Sequence, residues 1–197
     1  MKFWGLLVLF QINRHGHIIK MSKKGGNKGS PSEAAQRLID NSDNPAESDF
    51  KILLDGAKGD NKAKEIAASY IPSFFENFPK QQKPALNAML DLAECEEPAV
   101  RYKAVSNLKK FCDVDKASVY KALVNALGDE EDSIASKSSE FVTSLIQSDD
   151  DLKETLFSCL QSSKPLGQLR IVEIIHKNIT FTEENVEQLL NVLKVAF

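Results

Sequence analysis

Long apolar runs are missing from this sequence. The longest, FWGLLVLF at Phe3 to Phe10, has eight residues, whereas a membrane-spanning helix needs about 20. Cysteine is scarce. Cys95, Cys112 and Cys159 stand far apart, with no CxxC and no Cys/His spacing of a metal site. Three thiols cannot all pair within one chain, so they read as small core hydrophobes in a reducing compartment. Only one histidine, His176 in VEIIHKN, lies outside the amino-terminal tail. Nucleophilic catalysis needs a nucleophile beside a base; His176 reads as a structural or surface residue, not as half of a Cys–His dyad. No P-loop, dinucleotide fingerprint, HExxH or EF-hand pattern occurs. Sustained strand alternation and Asn-Gly turns are absent too, which argues against a β fold. Nor is there an excess of one charge: 27% charged residues sum to only −3, giving no global reason to bind nucleic acid. These absences point away from an enzyme and from any cofactor or metal.

Residues 1–31 read as a disordered or targeting-like tail, and residues 32–197 as one folded unit. The apolar run behind Lys2 resembles a signal-peptide core, but QINRHGH follows it, without a small-x-small cleavage site. Met21 then opens SKKGGNKGSPSE, a basic, glycine-rich stretch of low complexity. From Met21 onward the composition is that of an intracellular protein, in nucleus or cytoplasm and not secreted. Secretion would require cleavage within the first twenty residues and a modified Asn178, whose sequon Asn178-Ile179-Thr180 is a common chance triplet.

What is present is helical periodicity broken by short polar turns. The pattern predicts helices near 32–41, 47–57, 61–78, 83–94, 98–112, 115–127, 133–147, 150–161, 165–178 and 183–196. Short breaks make neighbours antiparallel. The pattern repeats itself. NKAKEIAASYIPSFF (61–75) aligns with PAVRYKAVSNLKKFC (98–112), placing Lys64 on Arg101, Ala67 on Ala104, Ile71 on Leu108 and Phe74 on Phe111. A further step carries Val100 to Ile134, Leu108 to Val142, Phe111 to Leu145 and Cys112 to Ile146; KPLGQLRIVEIIHKNI is a looser fourth unit. Two helices in a period of about 35 residues is the signature of a HEAT/armadillo-like solenoid. One such pair cannot bury its apolar face alone, and stacking makes a continuous core. Pro72 interrupts the aromatic stripe Ile66, Tyr70, Phe74, Phe75 and Phe78. Its break costs about 3 kcal/mol, against roughly 1.5–3 kcal/mol for each aromatic buried. Packing is therefore expected to win, with Ala67 and Ala68 small enough to accommodate the bend.

The stretch 52–111 closely resembles the amino-terminal HEAT-like region of the apoptosis inhibitor 5 family. ILLDGAKG, AASYIPSFFENFP, ALNAMLDLAE and VRYKAVSNL carry the resemblance in order and spacing; from Asp113 to Val195 it is mainly one of helix pattern. It implies a right-handed all-helical superhelix and a nuclear protein that suppresses programmed cell death by binding other proteins. The family brings no catalytic site. Its members are longer, with a carboxy-terminal leucine-repeat helix and a nuclear-import signal that have no counterpart in this sequence.

Charge supplies the candidate surfaces. Glu94, Glu96 and Glu97, then Asp129, Glu130, Glu131 and Asp132, fall on one solenoid edge. They serve helix N-termini and solubility, or form an acidic rim that steers basic partners. Asp149, Asp150 and Asp151 fall on the opposite edge and read as capping. Lys62, Lys64, Arg101, Lys103, Lys109 and Lys110 sit on second helices, the layer that normally lines the concave, partner-binding side. Lys64, Arg101, Lys103, Lys109 and Lys110 are the candidate protein-binding residues. Nucleic acid is the rival partner, for an RNA-processing or export adaptor; the net negative charge and a lack of exposed aromatics interleaved with the basic residues oppose it. Finally, Val186, Leu189, Leu190 and Leu193 follow a Thr182 cap as the first helix of an unfinished fifth pair, which predicts either self-association through residues 183–197 or fraying there. The composition change at Met21 carries its own expectation. Amino-terminal peptide mapping of the cellular protein should recover a start at or near Met21 and no peptide from residues 1–20.

Overall fold

A computed structural model describes residues 29–180, together with 10–12, 18–20, 186, 187 and 190. Phe10–Ile12 (β1) and Ile18–Lys20 (β2) pair antiparallel; of the rest of the expected disordered tail 1–31, Ser30 and Pro31 are ordered as the start of the first helix, and residues other than 29–31 lie outside the described residues. Nine helices follow among the described residues: α1 Pro31–Asp40, α2 Glu47–Gly56, α3 Asn61–Phe74, α4 Gln82–Ala93, α5 Pro98–Leu108, α6 Cys112–Ala126, α7 Asp132–Leu145, α8 Asp150–Leu160 and α9 Pro165–Asn178. Their starts have local causes. Ser30 and Glu33 form a reciprocal capping box ahead of α1, Asp60 accepts from Ala63 N at the head of α3, and Asp149 caps α8. Pro31, Pro98 and Pro165 occupy first-turn positions, where a missing N–H costs nothing.

The helices stack as an all-α repeat solenoid. α2 pairs with α3, α4 with α5, α6 with α7 and α8 with α9. The first helices α2, α4, α6 and α8 form one layer, and the second helices α3, α5, α7 and α9 the other, with α1 packed on α2 and α3. The aligned positions fall in the strip of core between layers: Ala67, Ala104, Ile71, Leu108, Val142, Val100 and Ile134 are fully buried. Aromatic rings pack within and between the pairs. Phe50 of α2 stacks on Phe78, just beyond α3, at 4.7 Å, and Phe75 stacks on Phe111 across the boundary between the first two pairs at 4.1 Å between ring centres. Further along, the turn after α6 meets α9 through two glycines. A Cβ on Gly167 would lie 3.1 Å from Gly128 Cα, so this approach favours the absence of a side chain.

Two expected helices end early. α3 stops at Phe74, not at residue 78, and tightens into a 3₁₀ turn over Phe75–Asn77. Pro72 is buried inside the last turn, where it supplies no N–H to Ala68 O and crowds that carbonyl. Phe74, Phe75 and Phe78 are core as expected, but Tyr70 and Ile66 are only partly buried. α5 likewise gives way at Leu108 to a 3₁₀ turn, Lys109–Phe111. Asp115 leaves helical geometry (φ −163°, ψ 90°) and accepts from Ser118 N at 3.1 Å, so the regular part of α6 starts near 115, as the pattern predicts. Of the predicted helix 183–196, Val186, Glu187 and Leu190 are described and helical, and Val186 and Leu190 are exposed. The rest, with the self-association assigned to 183–197, lies outside the described residues. No helix among the described residues is long and apolar enough to cross a membrane.

Phe75 fills the boundary between the first two pairs. Phe75→Ala should lower stability by about 3–5 kcal/mol in a denaturant melt. A loss under about 0.5 kcal/mol would be surface behaviour and would contradict this packing.

Candidate functional site

The second-helix layer and the two solenoid edges carry the polar chemistry. The turns α4–α5, α6–α7 and α8–α9 meet on one edge, around an open cleft of about 560 Å³ lined in part by Glu94, Cys95, Arg101, Asp129, Glu130 and Lys164. Arg101 organises it. Its Nε and Nη2 donate to both oxygens of Asp129, at 2.8 and 3.0 Å, while Nη1 donates to the carbonyls of Cys95 and Glu96, at 3.0 and 2.8 Å. The two side chains are 16% and 11% exposed, so this is a clamp and not an open cation. Burial works against ionised Asp129, but the bonds from Arg101 and Glu131 N outweigh it and hold the carboxyl below its usual pKa. The bond to Asp129 raises the Arg101 pKa in turn. Arg170 repeats the device on α9. It donates to the carbonyls of Leu127 and Asp129 and to Asp132 Oδ1.

The opposite edge is a ladder of ion pairs one repeat apart. Gln81 Nε2 donates to Glu47 at 2.8 Å. Lys83 pairs with Asp115, and Lys116 with Asp149 at 3.3 Å and Asp151 at 2.5 Å. Tyr120 Oη donates to Asp149 at 2.7 Å. Asp149 is thus a cap, as expected, and also a tie between repeats. Sequence reasoning missed this role, although lysine and aspartate recur at the repeat spacing (Lys83 and Lys116, Asp115 and Asp149). The bond from Lys83, helped by those from Ser118, pushes the Asp115 pKa from 3.8 to about 2. The Tyr120 bond and Lys116 lower Asp149 as well. Desolvation first, then the bond to Asp149, raises the Tyr120 pKa.

On the second-helix layer the candidate residues part company. Arg101 and Lys103 are two residues apart, about 200° around a helix. Arg101 turns to the edge, while Lys103 crosses to Glu65 on α3 at 2.6 Å. Lys64 is half-buried, with no ion-pair partner among the described residues, and Lys110 is exposed. Lys109 Nζ lies 5.8 Å from the ring centre of Phe141 on α7, and Lys137 Nζ lies 4.8 Å from the same ring. Tyr102 is 42% exposed on the α5 surface. Tyr102 is thus an exposed aromatic among the basic residues of α5, which the sequence reading did not expect, while Phe141, brought to Lys109 from a different helix, is only partly exposed.

The cysteines are free. Cys159 is in the core, Cys95 and Cys112 are half-buried, and burial raises the Cys112 pKa, away from a reactive thiolate. His176 is exposed on α9. Among the described residues no three His, Cys, Asp or Glu side chains are grouped to hold a metal ion.

Residues 32–195 match the model of the family described as Apoptosis inhibitory protein 5. The chain is similar to apoptosis inhibitor 5 of Gallus gallus, 36% identical over 107 residues, which is 54% of this chain and 17% of that protein. It is 44% identical to apoptosis inhibitor 5 of Homo sapiens over 62 residues, 32% of this chain and 12% of that protein. It is also 32% identical to the Drosophila melanogaster homolog over 81 residues, 41% and 14% of the two chains. The matched stretches therefore span less than a fifth of these relatives.

The edge ladder has a defined pH dependence. A carboxyl whose folded pKa is depressed adds stability above its unfolded pKa and loses it as pH falls through the folded value. For Asp115 that window runs from 3.8 down to about 2. Chemical-denaturation midpoints should fall across this window. Asp115→Asn should lower the midpoint at neutral pH and flatten the acid limb; parallel curves would remove Asp115 from the ladder.

Proposed function

The chain belongs to the Apoptosis inhibitory protein 5 family, and from that membership we propose that it is a non-enzymatic protein-binding scaffold that suppresses programmed cell death. Its relatives carry the name of apoptosis inhibitors and not of enzymes. The working surface is the second-helix layer, and the place of action is the nucleus or cytoplasm. One observation carries the reading: the second helices stack as one layer that presents Lys103, Lys109, Lys110 and Lys137 beside Tyr102 and Phe141. Repeats held rigidly by edge clamps offer such a layer preformed, so binding orders little chain. Lys64 extends the surface toward α3, while Arg101 supports it from the edge.

A second reading, the nucleic-acid-associated adaptor, draws on the same lysines and aromatics. Binding to RNA would weaken steeply with salt, as released counterions demand.

A pull-down from nuclear extract with the 197-residue chain separates the two. Proteins captured after nuclease treatment, and lost with Lys109→Glu/Lys110→Glu at an unchanged melting temperature, are the expected result. Capture that disappears on nuclease treatment would replace the scaffold by the adaptor.

A further inference from the structure

We propose that the surface shared by the adjacent helices α5 and α7 binds an acidic peptide segment carrying an apolar anchor; the proposal rests on the scaffold reading and names the class of partner. Tyr102 and Ser106 on α5, and Lys109, the still-helical first residue of the turn that follows it, are spaced four and three residues apart, so they form one stripe along the helix and its end. The stripe faces α7, because Lys109 reaches the Phe141 ring. Lys137, one turn before Phe141 on α7, reaches the same ring from its own helix. Two ammonium groups are thus gathered at one aromatic ring. The ring quadrupole attracts each of them, but they repel one another.

The protein compensates this charge only in part. Glu140 pairs with Lys137 at 2.7 Å and its side chain is 64% exposed. Glu65 is taken by Lys103. Lys109 and Lys110 have no ion-pair partner among the described residues. Carboxylates from outside would relieve the repulsion and meet cations already in place. The half-exposed Tyr102 supplies an apolar wall for a neighbouring side chain of the ligand.

The same geometry argues against a nucleic acid. Bases bind non-specifically by stacking on open aromatic faces. Phe141 is only partly exposed and already has two ammonium groups against it, which leaves Tyr102 as the platform. A carboxylate needs the ammonium groups and no free ring face.

Fluorescence anisotropy with the 197-residue chain tests the proposal. The probes are a labelled peptide of glutamates flanking one phenylalanine, its lysine counterpart, and an oligouridylate of the same length. The glutamate peptide should bind and the lysine peptide should not. Lys109→Glu/Lys137→Glu should weaken the glutamate peptide by about 10-fold, as expected for two or three surface ion pairs. The same variant should now bind the lysine peptide, a gain that unfolding cannot produce. Tyr102→Ala should weaken the glutamate peptide without conferring that gain. No binding of the glutamate peptide, or binding indifferent to the charge reversal, overturns the proposal. So does tighter, variant-sensitive binding of the oligouridylate. If the nuclear-extract proteins are still lost with Lys109→Glu/Lys110→Glu while the glutamate peptide never binds, the acidic-peptide proposal fails and the scaffold reading stands.

Discussion

A pair of short helices has more apolar surface than it can hide by itself, and every other feature of this chain follows from that constraint. The apolar surface of one pair is covered only by the next. The rings show how literally this holds. Phe75 stacks on Phe111, so the aromatic turns after α3 and α5 meet across a repeat boundary, while Phe50 of α2 stacks on Phe78 just beyond its own partner helix α3. The core is a strip between two layers of helices, and a cavity at one boundary is felt by the repeats on both sides.

Apolar packing is non-directional. It brings the repeats together without fixing how each sits on the last, and the polar edges add that direction. Arg101 joins the α4–α5 turn to the α6–α7 turn through four hydrogen bonds from one planar fork, a geometry that a lysine ammonium cannot reproduce. On the other edge, Lys83 and Lys116 each reach one repeat forward to an aspartate at a helix start. Those aspartates also bond the N–H groups of Ser118 and Leu152, so one carboxylate serves both the helix and the stack. The relative setting of α3, α5 and α7, and with it the shape of the surface they share, depends on these ties.

The solenoid was legible in the sequence because apolar periodicity and its recurrence at offsets near 35 residues are local, additive signals. Positions that align from repeat to repeat, such as Ile71, Leu108 and Val142, are buried together. The helix ends were less legible. Pro72 announced a break, but the aromatic stripe beyond it argued for continuation to Phe78, and the proline prevailed within one turn. The site was least legible. Arg101 and Lys103 look alike as basic residues on one helix, yet half a turn sends them to different places. The acceptors of Arg101 are a carboxylate and two carbonyls from other turns, and no spacing rule reveals them. Lys109 and Phe141 meet only because α5 and α7 lie side by side.

The distribution of charge explains how an acidic chain can present a basic surface. Its net charge is −3, but the sum describes no face of the molecule. Asp115, Asp129, Asp132, Asp149 and Asp151 take lysines and arginines at the edges, where they tie repeats together. Glu94, Glu96, Glu130 and Glu131 remain exposed on one edge, while Lys109 and Lys110, on the second-helix layer, have no ion-pair partner among the described residues. The residual charges are therefore segregated, with acid on that edge and base on the layer beside it. A field of this kind orients an approaching ligand before contact. Under the proposed acidic-peptide binding, such a segment would be turned away from the rim and drawn onto α5 and α7, and recognition would follow from which charges the stacking of repeats leaves over.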